Sequence, residues 1–90
     1  MASGGAPGGT AVNLAEVPAG SHATVTAIGG ARAESVRLHE LGLLPGTRVS
    51  VVRIAPLGDP LELRLRGYSL SVRRALARTI EVDDVGRDAR

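Results

Sequence analysis

Residues 38–52 read LHELGLLPGTRVSVV, and this one stretch joins a helix end, a tight corner and a strand. Gly42 follows good helix formers and can take the positive φ that ends a helix in a Schellman motif. With Leu41 as C-cap, Leu38 and Leu43 fall at the two positions whose side chains touch in that motif. Pro45 and Gly46 fill the centre of a type II turn, proline holding φ near about −65° and glycine supplying φ > 0. From Thr47 to Ile54 the period changes: Val49 and Val51 alternate with Ser50 and Val52, as a strand requires. The stretch is a rigid helix-to-strand corner, and its neighbours decide the class.

Upstream, the helix runs from about Arg32 to Leu41. Its apolar positions Ala33, Val36, Leu38 and Leu41 spread over a wide arc, which fits a short helix across a barrel mouth better than a bundle helix. Before it, SHATVTAI alternates Ala23, Val25 and Ala27 with His22, Thr24 and Thr26, and β-branched residues dominate, so a strand is expected. Gly29-Gly30 ends that strand. Asn13 starts a turn, Leu14 and Val17 are the first anchors, and residues 1–12 have almost no side chain to bury, so a disordered leader is expected there. Downstream, APLGDP is a loop and LELRLRGYSLSVR is a hairpin. Gly67-Tyr68 suits a type II′ turn, which would set Leu65 against Leu70, Leu63 against Val72 and Glu62 against Arg73. RRALAR is too short for a full helix and is expected to form a 3₁₀ turn or a single helical turn, and TIEV is a last strand with Ile80 and Val82 inward. The expected fold is mostly β: a small barrel of about five antiparallel strands with one short α-helix, spanning 13–85, then a flexible tail over 86–90.

Composition narrows the function. The 90-residue chain has no Cys, Phe or Trp, and Tyr68 is its one aromatic residue. Disulfides and thiolate metal sites are excluded. The opening residues lack the basic and apolar regions of a signal peptide, and no stretch approaches the roughly 20 apolar residues of a membrane span. All the basic side chains are Arg, so a net charge of +2 gives a pI near 10.4. Between Leu63 and Ile80, Arg64, Arg66, Arg73, Arg74 and Arg78 occur with no carboxylate among them. They make a basic face suited to an acidic partner, a nucleic acid or an anionic membrane surface, or one that simply keeps the barrel soluble.

Catalytic signatures are missing. HELGL begins like a zinc-protease helix, but Leu43 stands where its second His must be. A divalent site from His39, Glu40 and a distant Asp59 or Glu62 has no ligand spacing behind it, so no metal or cofactor is expected. Gly29-Gly30 lacks the GK[ST] ending of a phosphate loop. One Tyr makes no stacking platform for single-stranded nucleic acid, and the low net charge attracts phosphate weakly.

The pieces L-x-x-V-P-x-G, RL-x-E-L-G-L-x-P-G, P-L-G-D-P and G-Y-x-L-x-V-R, with a closing I-x-V, together resemble the FeoA family, the small cytosolic component of bacterial ferrous iron uptake. The likeness runs from about Leu14 to Val82. It implies an SH3-like barrel and an accessory, non-enzymatic role toward the FeoB-type membrane GTPase transporter, whose cytosolic portion is the expected partner. A cytoplasmic location beside the membrane but not in it follows, with no nucleic acid bound. The same barrel is similar to the C-terminal domain of DtxR-type iron-dependent repressors, so the alternative is a nucleic-acid-binding or iron-responsive regulatory barrel. Family descriptions mention transition-metal binding. The expected contact surface is Leu44, Pro45 and Gly46 on the corner, with Arg37 and His39 at its rim and the basic face steering approach; the alternative is that Leu44 simply covers the end of the barrel.

Overall fold

The computed structural model describes residues 12–88. Six antiparallel strands form one sheet, in the order β1-β6-β2-β3-β4-β5. β1 is Val12–Asn13 and leads into a 3₁₀ turn over Leu14–Glu16. β2 is Ser21–Ile28, α1 is Arg32–Glu40 and β3 is Arg48–Ile54. β4 is Leu61–Leu65, β5 is Tyr68–Val72, α2 is Arg74–Ala77 and β6 is Ile80–Arg87. This is the expected mostly β architecture, with one strand more than the sequence suggested: Val12 pairs with Val82 and Asn13 with Glu81. The rest of the expected leader lies outside the described residues.

The core is aliphatic, as the composition requires. Val49 and Val51 of β3 and Leu61, Leu63 and Leu65 of β4 are buried. They meet Val25 of β2, Ile80 and Val82 of β6, and Leu14 and Val17 from the first turn. Ala23 and Val25 are buried, but the alternation fails at Ala27, which is exposed. A bulge between Val25 and Ala27, against β6, inserts an extra residue and resets the phase.

The hairpin also departs from expectation. Its turn is Arg66-Gly67, with φ of 52° and 84°, which is the type I′ form. Leu65 pairs with Tyr68, Leu63 with Leu70 and Leu61 with Val72. The turn expected at Gly67-Tyr68 would have set Leu61 against the charged Arg74; the observed register gives each leucine of β4 an apolar or aromatic partner. The slip is two residues, so the period of two keeps every side chain on its expected face.

β6 continues past the point where a frayed tail was expected. Gly86 pairs with His22 and Arg87 with Ser21, and the Asp88 N–H donates to the Gly20 carbonyl at 2.8 Å.

Candidate partner-binding site

The corner after α1 is built as its sequence demands. Gly42 has φ of 100°. Its N–H donates to the His39 carbonyl and the Leu43 N–H to the Leu38 carbonyl, both at 3.0 Å, which is the Schellman pair. Leu38 and Leu43 are both buried, so the motif's apolar contact faces the core. The Thr47 N–H then donates to the Leu44 carbonyl at 2.9 Å across Pro45-Gly46, with Gly46 at φ 93°. Two further bonds fasten the corner to β2: Gly46 N–H to the Val25 carbonyl at 2.7 Å, and Val25 N–H to the Thr47 carbonyl at 2.9 Å. The Thr47 hydroxyl donates to the Gly42 carbonyl at 3.3 Å.

This frame holds Leu44 outward, 40% exposed. Pro45, Gly46, Arg37 and His39 are exposed as well. Three apolar residues that the sequence reading did not assign to the site extend the surface. Val36 and Leu41 line a shallow groove on α1 with Ala33, Arg37 and Glu40. Tyr68 comes up from the hairpin, so close that a Cβ on Gly42 would stand 3.0 Å from its hydroxyl. Val36 and Leu41 had left a signal: on a short helix with one buried residue, Leu38, their wide arc has to face solvent. Tyr68 had none, because its place depends on the hairpin register.

The basic residues separate into two groups. Arg64, Arg66, Arg73 and Arg78 are exposed. Arg74 turns inward: its Nε donates to the Gly58 carbonyl at 2.6 Å and a terminal nitrogen to the Ala15 carbonyl at 2.8 Å. Its main-chain N–H donates to Asp59 Oδ1 at 2.8 Å. This arginine holds loops together. The β3–β4 loop that it grips presents Leu57, 97% exposed, at its tip.

A polar pair unforeseen in the sequence sits where β2 meets the end of β6. His22 Nδ1 shares a hydrogen bond with Asp88 Oδ1 at 2.8 Å. Gly86 makes room for the ring, since a Cβ there would lie 2.9 Å from His22 Nε2. That bond to His22 lowers the Asp88 pKa; partial burial opposes it, and the Ser50 hydroxyl and the charge of Arg48 assist. Among the described residues no three His, Asp or Glu side chains gather as metal ligands. Among them too, no helix is long and apolar enough to cross a membrane.

The family model of the FeoA domain matches residues 12–84. Over 78 residues, 87% of this chain, the sequence is 33% identical to the Fe(2+) transport protein A/Fe(2+) transporter FeoB fusion protein of Porphyromonas gingivalis. The chain spans only 9% of that relative's length. The solution structure of the FeoA protein from Chlorobium tepidum is 42% identical, with a TM-score of 0.75 over 79% of this chain and 68% of that one. The FeoA of Stenotrophomonas maltophilia complexed with zinc, a procaryotic SH3 domain protein, is 28% identical, with a TM-score of 0.76 over 87% and 99%. The fold alone extends to the T. acidophilum IdeR, at 20% identity and a TM-score of 0.70 over 80% of this chain and 33% of that one. Both the barrel and the matched span identify this chain as a member of the FeoA family, which is linked to ferrous iron transport.

Proposed function

We propose that this protein is a non-enzymatic accessory factor of ferrous iron uptake, which binds and modulates the cytosolic portion of a FeoB-type transporter from the cytoplasm. The observation that carries this reading is the fused relative, in which a FeoA-like segment and a FeoB transporter share one chain. Fusion holds two modules at high effective concentration, an arrangement that favours modules acting together. The corner suits the part of a docking element. Its backbone is hydrogen-bonded on both sides, so little conformational entropy is lost when Leu44, Pro45 and Gly46 meet a partner. Arg37 and His39 form the rim, and the exposed arginines of the hairpin steer an acidic surface toward it.

The test is calorimetric titration of the purified protein into the cytosolic portion of the FeoB-type transporter from the same genome, with GTP hydrolysis followed alongside. Saturable binding supports the adaptor role, and a change in hydrolysis adds modulation to it. Absence of binding at micromolar protein, with both partners folded, overturns the reading.

A further inference from the structure

Among the described residues the sheet leaves one long strand edge without a partner. Of its two outer strands, β1 has two residues and leads straight into the 3₁₀ turn, whereas β5 runs for five. The β4–β5 ladder carries no bulge, unlike the ladders of β2 with β6 and β3 with β4. YSLSV contains no proline and no charge, so β5 lacks the devices that usually blunt an exposed edge. Hairpin geometry tells which groups are free. A two-residue turn closes on a hydrogen-bonded pair, here Leu65 and Tyr68, and bonded and non-bonded pairs alternate from there. Leu70 and Val72 therefore direct their N–H and C=O to β4, while Ser69 and Ser71 direct theirs outward. Both serines are exposed, and among the described residues no hydrogen bond reaches those outward groups.

Charge selects the occupant. Arg64 stands directly across from Ser69, exposed on the same face of the sheet as that small side chain. Arg66 precedes β5 and Arg73 follows it, both exposed. The opposing carboxylate is Glu62, across from Ser71. A second copy paired antiparallel through Ser69 and Ser71 would face Arg64 with Glu62, but it would bring Arg66 of each copy beside Arg73 of the other at both ends of the ladder, which is unfavourable. A strand bearing a carboxylate beside Ser69 meets them well.

We infer that β5 is a strand-addition site for an extended, acidic segment of the transporter, with Ser69 and Ser71 supplying the main-chain bonds and Arg64 the charge preference. The inference rests on the adaptor reading and deepens it.

Ser71→Pro removes the outward N–H, a change that edge strands tolerate on their open side, and Ser71→Ala retains it. Against the cytosolic portion of the FeoB-type transporter, Ser71→Pro should bind at least about tenfold more weakly with its melting temperature unchanged. Ser71→Ala should bind as the parent does. Hydrogen exchange by NMR on the unmodified protein covers the case in which the proline variant fails to fold: the Ser69 and Ser71 amides should slow in the complex. If the parent binds while those amides exchange as fast as in the free protein, strand addition is wrong and the adaptor role stands. Amides that slow with concentration in the protein alone would assign the edge to a second copy and overturn the inference. If the parent does not bind at all, the adaptor reading fails and this one with it.

Discussion

Leu44 projects from a corner whose every neighbour is pinned, so the side chain can be changed without disturbing what holds it. Leu44→Ser removes exposed apolar surface and leaves the Leu38–Leu43 contact intact. Thermal unfolding should therefore stay within the range of surface substitutions, about ±0.5 kcal/mol, while affinity for the transporter's cytosolic portion falls. A loss above about 2 kcal/mol would mark a core residue instead and remove Leu44 from the site. Asp88 yields a prediction in pH. Its folded pKa lies below the unfolded 3.8, chiefly through the bond to His22. The unfolded chain thus takes up the proton first, so the stability contributed is present above pH 3.8 and is lost as pH falls through the lower folded value. Melting curves between neutral pH and pH 2 should show the parent losing more stability than Asp88→Asn; parallel losses would mean that the pair adds nothing.

At the level of elements, the hairpin carries a conformational cost that its own sequence can relieve. Arg66 occupies φ 52° without being glycine, and a left-handed residue with a Cβ costs about 1–2 kcal/mol. Asn-Gly is the favoured type I′ pair. Arg66→Asn should accordingly raise stability by up to about 1 kcal/mol in urea unfolding. A clear decrease would show that the arginine side chain contributes more to the hairpin than its backbone costs. The same hairpin marks where sequence reading stopped. The α1 end, the type II corner and the core face of β3 were legible because each rests on one residue's backbone demand or on a local period. Register was only half legible: alternation determined the faces, but two adjacent turns, Gly67-Tyr68 and Arg66-Gly67, both satisfied it. The choice came from Leu61 and Val72, far from the turn. The bulge that turns Ala27 outward left no trace, since nothing in SHATVTAI breaks its alternation. His22 and Asp88 lie 66 positions apart and Arg74 and Ala15 59 apart; pairs so distant have no local pattern by which to be found. Of the candidate site, the rigid corner was legible; the exposure of Leu44 was one of two readings open in the sequence, and Tyr68 and the inward turn of Arg74 left no signal.

Across the whole molecule, Arg74 does what a strand ladder would do in a closed barrel. The outer strands β1 and β5 are not paired with each other. The segment after β1, the β3–β4 loop and α2 meet instead on one guanidinium, through the carbonyls of Ala15 and Gly58. Ala15 is buried, so its carbonyl depends on that donor, and an orphaned buried acceptor costs about 1–3 kcal/mol. Arg74→Ala should destabilise the protein by about 2–3 kcal/mol, a large share of what so small a domain possesses. Arg74→Lys should recover only part of this, because a single ammonium cannot match the planar fork that serves two carbonyls. Asp59→Asn should be nearly silent, since an amide oxygen still accepts from the Arg74 main-chain N–H. Chemical denaturation of the three variants decides the matter. A loss for lysine smaller than that for alanine but clearly above zero would support the latch, whereas a loss for Arg74→Ala below about 0.5 kcal/mol, the level of an ordinary surface change, would mean that apolar packing alone holds the open side of the barrel shut.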